Sequence, residues 1–255
     1  IASTKNRGFR IQMERSDGTG QWRGGVDGFS EKHDSFIDNP NNSMFFVDNF
    51  YGAERRVIGA FVERGHVFGD RLRAEFGLRV NRVNSDAGTV NATPAMTMPP
   101  AQALRDAFNS ADRKRADTNA DLVAKLNYRI SDNVGIYGGV ARKQRAPSYQ
   151  ERYLWLPLEA TAGLADGQVY IGDIGLDSER SANVEFGIDH SGPRLQLRPR
   201  VFYTRINDYI QGTPLPGDHP ATRMVRMMNA ANGTLRPAPL RFSNVTAELY
   251  GFDMD

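Results

Sequence analysis

The run RLRAEFGLRVNRVN at positions 71–84 constrains the fold more than any other stretch. Leu72, Ala74, Phe76, Leu78 and Val80 take every second position, with Arg71, Arg73, Glu75, Arg79 and Asn81 between them. A helix, turning every 3.6 residues or about that, would scatter these apolar groups around its circumference, whereas a pleated strand puts them all on one side. The chain is thereby committed to a sheet with one apolar and one charged face. In a soluble sheet the apolar face meets a core and the charged face meets water. In a transmembrane barrel the apolar face meets lipid and the charged face lines the lumen. One strand fits both; the connections between strands discriminate.

The same alternation recurs along the chain. Strands are expected at 7–14 and 21–30, joined by a tight turn through Asp17-Gly18, then at 54–64 and 71–84. The polar stretch 31–53, with DNPNNS, carries too many turn formers for regular structure. After a segment containing NATPAMTMPP and a short helix in AQALRDAFNSADRK, strands follow at 121–130, 134–142, 181–189, 195–206 and 244–255. That makes about nine strands, all expected to be antiparallel neighbours in a meander. Their connections alternate short and long, and the long ones run to about 35 residues, far beyond the usual 4 to 6. Because lipid tolerates no unpaired backbone, irregular chain must lie outside a bilayer. Short turns at one end and long loops at the other are therefore the anatomy of an outer-membrane barrel.

Composition removes other classes. There is no cysteine, hence no disulfide framework or thiolate site, and the net charge of +2 points to no nucleic-acid partner. No apolar run reaches the roughly 18 residues of a transmembrane helix. The mean hydropathy of -0.52 does not argue against a barrel, whose strands are only half apolar. The start, IASTKNRGFR, has no hydrophobic signal segment, so either the protein is cytoplasmic or its beginning is missing. No HExxH, GxSxG or GxxxxGK[ST] is present, and the four histidines lie near turns or loops, so no enzyme and no cofactor are expected.

Four stretches carry a family resemblance: RVIGAFVERGHVFGDRLRAEFGLRVNRV from Arg56, DLVAKLNYRISDNVGIYGGVARKQRAPSYQERY from Asp121, IGDIGLDSERSANVEFGIDH from Ile171, and VFYTRINDYIQG from Val201, echoed by LYGFDMD at the end. In order and spacing they resemble the TonB-dependent outer-membrane receptors. In that family the Arg-x-Pro stretch, here Arg145-Ala146-Pro147, precedes a large extracellular loop. The resemblance implies a fold class: all-β, an antiparallel up-and-down transmembrane β-barrel segment with short periplasmic turns and long extracellular loops. Family barrels are about 22-stranded and plugged, so residues 1–255 are expected to be a central piece, with the plug domain and both ends missing. It further implies location in the bacterial outer membrane and TonB-driven import of a ferric siderophore or other metal chelate. TonB would act through the missing amino-terminal part. A passive porin is the alternative, and a soluble β-rich binding protein stands behind it.

On this reading the polar strand positions form the lumen wall: Arg71, Arg73, Glu75 and Arg79; Lys125, Asn127 and Arg129; Asn183, Glu185 and Asp189; Arg198 and Arg200. Cations outnumber acids in this set, which suits an anionic chelate or an acidic plug surface, or else the charges only hydrogen-bond the plug and water. Leu72, Phe76, Leu78, Leu126, Val184, Phe186 and Ile188 should face lipid. In the loops, Tyr149, Glu151, Arg152, Tyr153 and Trp155 are candidate ligand contacts by stacking and hydrogen bonding, or else an interfacial aromatic girdle. Met96 and Met98, with His219, Met224, Met227 and Met228, are candidate soft-metal contacts suited to reduced copper, or else methionines filling apolar gaps.

Overall fold

The computed structural model describes residues 1–158 and 166–254. Its long strands are β1 (Ala2–Ser16), β2 (Gly20–Asn39), β3 (Asn42–Phe68), β4 (Leu72–Asp86), β5 (Arg115–Arg129), β6 (Val134–Arg145), β8 (Glu179–Ser191), β10 (Pro199–Pro214) and β11 (Leu240–Met254). Two-residue strands β7 (Tyr170–Ile171) and β9 (Gln196–Leu197) complete them, and the helices are α1 (Thr93–Thr97), α2 (Pro99–Ser110), α3 (Tyr149–Tyr153) and α4 (Pro220–Asn232). All strands join one sheet in the order β1-β2-β3-β4-β5-β6-β8-β10-β11-β7, with β9 on β8. Every long-strand pairing is antiparallel between neighbours. The nine long strands form an up-and-down meander that does not close on itself, while the two-residue β9 pairs antiparallel with β8 and β7 pairs parallel with β11. Among the described residues no helix is long and apolar enough to cross a membrane.

The sheet keeps the face assignment read from the sequence. Phe76, Leu78, Leu126, Val184, Phe186 and Ile188 are exposed on one side, while Val83 and Ser85 on the opposite side of β4 are buried. Leu78 pairs with Leu122 and with Val62, so the apolar side is continuous from strand to strand.

Residues 31–53 are a correction. They are the paired upper halves of β2 and β3, turning at Pro40-Asn41. The register shifts between His33 and Ser35, between Ser35 and Phe36, and between Asp38 and Asn39. Each bulge moves the following side chains relative to the pleat, so the period of two is scrambled while the ladder persists. At 27 residues β3 measures about 90 Å along its path and has more than twice the roughly 9 to 11 residues a bilayer crossing needs. The hairpin therefore rises well beyond any membrane. Other differences are smaller. Arg71 falls in the turn before β4, Arg198 separates β9 from β10, and the predicted last residue, Asp255, lies outside the described residues.

The buried apolar cluster lies at the long-loop end. Val47 and Phe50 of β3, Ala92, Ala101 and Leu104 with α2, Tyr153 to Leu156, and Ala221 and Met224 of α4 pack together there. The long connections thus form a folded cap. Helix α2 is the one expected from AQALRDAFNSADRK. Helix α4 arises inside what reads as a polar segment, opened by Pro220 in its first turn and closed by Gly233 in the left-handed region at φ 64°.

Candidate functional site

Two regions carry the candidate residues. The first is the concave face of the sheet. Arg79 grips Asp27 with both terminal nitrogens, at 2.9 and 2.5 Å, and its Nε donates to Asn81 at 2.8 Å. The Phe61 ring lies between the guanidiniums of Arg10 and Arg79, 5.3 and 5.8 Å from its centroid. Arg79 has room because position 59 is glycine, where a Cβ would come within 2.6 Å of the Arg79 Nη2. Arg23 pairs with Glu63, Lys125 with Glu185 at 3.9 Å, and Arg200 with Asp189 at 2.8 Å, with Arg198 4.0 Å from the same carboxylate. Arg73 reaches Glu75 at 3.0 Å. Asn183 donates to Thr204 at 2.8 Å. At the turn end the Arg129 side chain donates to the Asp70 carbonyl at 2.6 Å, and its backbone N–H to the Arg71 carbonyl. Many of these residues line an open cavity of about 800 Å³.

The wall residues Arg10, Arg23, Asp27 and Glu63 are missing from the sequence-derived set. The signal for them existed: Arg10 stands between Phe9 and Ile11, and glycines at 24, 25 and 28 hide the continuation in β2. Including them changes the electrostatics. With Asp27, Glu63 and Asp121 on the same face, the wall carries crossed ion pairs, and cations still outnumber acids on it.

The second region is the cap. Ser148 and Glu151 form a capping box at α3, with Glu151 N–H donating to Ser148 Oγ at 3.2 Å and Ser148 N–H to Glu151 Oε2 at 2.7 Å. The same Glu151 carboxylate takes both terminal nitrogens of Arg145, whose Nε donates to Glu179 at 2.6 Å. Burial would push the Glu179 carboxyl up, but the Arg145 hydrogen bond and the Ile210 N–H outweigh it and hold it below its ordinary value. Arg152, 2% exposed, donates to both oxygens of Asp117 at 2.8 and 3.0 Å and to the Leu176 carbonyl. Tyr153 donates to the Arg113 carbonyl and Trp155 Nε1 to the Asp48 carbonyl, each at 2.8 Å. Burial pushes the Tyr153 phenol well above its usual value. Tyr149 is half-buried, stacked on His33 with centroids 4.9 Å apart.

The five aromatic and charged candidates are thus brought together, but three of them, Arg152, Tyr153 and Trp155, spend their polar atoms inside the cap. Tyr149 and Glu151 are the partly accessible ones. The methionine segments also meet: Met98 caps α2, and Met98 and Met228 pack against the same cluster, in which Met224 is fully buried. Met96 and Met227 are exposed. His219 caps α4 by accepting the Ala221 N–H on Nδ1 at 3.1 Å, and burial, with Arg241 nearby, lowers its pKa. Among the described residues no group of three or more His, Asp or Glu is placed to hold a metal ion.

Residues 3–255 match the family described as TonB dependent receptor-like, beta-barrel. The chain belongs to the TonB-dependent receptor barrels. Solved structures of the same fold include the copper transporter OprC, at 17% identity and TM-score 0.68, covering 99% of this chain and 34% of that one. The FrpB iron transporter of Neisseria meningitidis matches at 12% and 0.60, over 99% and 33%. The Serratia marcescens hemophore receptor HasR, in complex with HasA and heme, matches at 14% and 0.64, over 99% and 39%. The chain therefore spans about a third of the length of these receptor barrels' chains. No curated protein sequence matches it.

Proposed function

We propose that this chain is the central barrel wall and outer cap of an outer-membrane importer that takes up a metal chelate, most plainly a ferric siderophore, with energy delivered through TonB. The carrying observation is that one meander presents a continuous apolar outer face, a charged inner face and a folded cap over the same end. The chain's part is to hold ligand at the cap and to guide it along the wall. A plug domain and TonB would supply gating through other parts of the full-length protein, and no group of this chain is required to act on the ligand chemically. Family membership and the transporters that share the fold support this reading over a passive porin. The test is accumulation of a radiolabelled ferric chelate by cells carrying the full-length receptor, with and without TonB. Uptake that persists without TonB supports a passive pore instead.

A second reading rests on the meeting of α2 and α4. His219 stands at the start of the helix that carries Met224, Met227 and Met228, and taking a metal on Nε2 would move its ring proton to Nδ1 and exchange the Ala221 cap for the metal bond. Thioethers with an imidazole favour copper in its reduced state. Copper accumulation that falls in a His219→Ala, Met227→Ala receptor while iron uptake is unchanged would move the ligand assignment to copper.

A further inference from the structure

The cap carries a cavity on the side of β3 turned away from the cap core. The register shifts between His33 and Ser35 and between Ser35 and Phe36 each give β3 one extra residue, so Ala53, Phe50 and Val47 all fall on the buried side. Asp48 adjoins Val47 where the ladder is regular again and takes the opposite side, across from Phe36. The loop after β4 runs beside it: Asp48 N–H donates to the Asn91 carbonyl at 2.9 Å, and Gly88 N–H to the Tyr51 carbonyl at 2.8 Å. A Cβ at Gly88 would come within 2.7 Å of the Tyr51 ring, so glycine there lets the ring lie against the loop. Helix α2 closes the third side, where Asn109 bonds both the N–H and the carbonyl of Val90 at 2.9 Å. The result is an open cavity of about 440 Å³ between Asp48, Tyr51, Thr89, Asn91, Arg105 and Asn109. It belongs to β3, the next loop and α2, away from the outermost long strands β1 and β11.

Opposite charges line this cavity without meeting. Asp48 Oδ2 accepts the Asn91 N–H at 3.1 Å, whereas its Oδ1 has no partner and no cation pairs with it among the described residues. Burial raises the pKa of this carboxyl, with only that N–H opposing it. Arg105 gives its Nε to Asp106 at 2.9 Å, but its Nη1 makes only long bonds, 3.4 Å to Asn91 Oδ1 and 3.3 Å to the Ala95 carbonyl. A guanidinium bond to a carboxylate runs to about 2.7 to 2.9 Å, so Nη1 gains by taking an anion. Asp48 and Arg105 thus flank Asn91, one short of a cation and the other holding a nitrogen in two weak bonds. The exposed Tyr51 ring stands at the rim. A neutral saccharide would leave the Asp48 charge desolvated and unpaired, which is costly. A small molecule carrying both an ammonium and a carboxylate answers both sides.

We propose that this pocket binds a free α-amino acid as its zwitterion, with the ammonium on Asp48, the carboxylate on Arg105 Nη1 and an apolar side chain over the Tyr51 ring. The site is separate from the concave wall that holds Arg79 and Asp27, and it does not depend on what the receptor imports.

The test titrates the full-length receptor, purified in non-ionic detergent, with three probes read by saturation-transfer NMR against empty micelles. The probes are L-phenylalanine, phenethylamine, which lacks the carboxylate, and hydrocinnamate, which lacks the ammonium. L-Phenylalanine should bind, and each fragment about tenfold more weakly, because one charge-assisted bond is lost. Asp48→Asn keeps an acceptor for the Asn91 N–H and removes only the charge. It should weaken L-phenylalanine and phenethylamine by about tenfold and leave hydrocinnamate unmoved. Arg105→Gln should do the reverse, weakening hydrocinnamate and sparing phenethylamine. Heat-modifiable gel migration reports that each variant is folded, and if Arg105→Gln fails this check Asp48→Asn decides. L-Phenylalanine that does not bind, that binds no better than its fragments, or that binds equally well to the folded Asp48→Asn receptor overturns the proposal. Binding of methyl glucoside that Asp48→Asn abolishes, with none of L-phenylalanine, overturns it in favour of a saccharide.

Discussion

The wall and the cap are made from the same chain by opposite means. In the wall, apolar side chains such as Phe76, Leu78 and Phe186 point outward and exposed, while charges cross-link the concave side. Order there comes from the backbone ladder and from cross-strand pairs. In the cap, apolar residues from β3, α2, α3 and α4 are buried together, and side chains such as Arg152 and Trp155 are fixed by backbone carbonyls and a carboxylate drawn from distant parts of the sequence. The wall is thus specified by near neighbours and by its surroundings; the cap depends on a few non-local anchors.

The comparison breaks hardest at Arg152. Replacing it with Ala leaves the Asp117 carboxylate without its bidentate partner, and removing one member of a buried pair costs about 3 to 5 kcal/mol. The expected outcome is loss of cap protection in hydrogen exchange with the wall strands still protected. Equal loss in both regions would mean that the cap and wall are one cooperative unit. Next comes Leu78→Arg, placing a charge on the outward face, expected to cost about 2 to 4 kcal/mol near the bilayer midplane in urea unfolding from liposomes. A silent substitution would remove Leu78 from the lipid. Smaller again is Trp155→Phe, which keeps an aromatic ring of smaller volume and leaves the Asp48 carbonyl short of its donor, at about 1 to 2 kcal/mol, read as a lowered cap melting temperature.

The same division explains what could be read from the sequence. The wall strands β4, β5, β6 and β8 show their period because one face meets a uniform environment, and the short turns mark their ends. The upper halves of β2 and β3 fail to show it because three register shifts break the alternation while the backbone stays paired. Helix α4 did leave local marks, Pro220 at its start and Gly233 at its end, which a reading of His219 and the methionines as loop ligands passes over. The burial of Arg152 in α3 leaves none, since its partner Asp117 is 35 residues away on β5.

The smallest expected effect is at the turn between β1 and β2. Asp17 is ion-paired with Arg64 at 2.8 Å and accepts from Thr19, and these interactions lower its pKa from 3.8 to about 2. Because the folded value is depressed, the carboxylate contributes its stability in full above pH 3.8, and that contribution disappears as pH falls toward 2. The site is exposed and the pair screened, so the effect on the barrel's melting temperature should be slight. It should nevertheless be specific: Asp17→Asn should flatten the acid limb of the melting curve between those two pH values, and raising salt should flatten it in the unmodified protein. The cap offers the contrasting case, since the Arg145 pair with Glu179 is partly shielded from solvent and should hold its acid dependence at high salt. If salt erased both limbs equally, the cap pair would be as solvent-exposed as the turn, and the division between a surface-ordered wall and an internally anchored cap would not extend to their electrostatics.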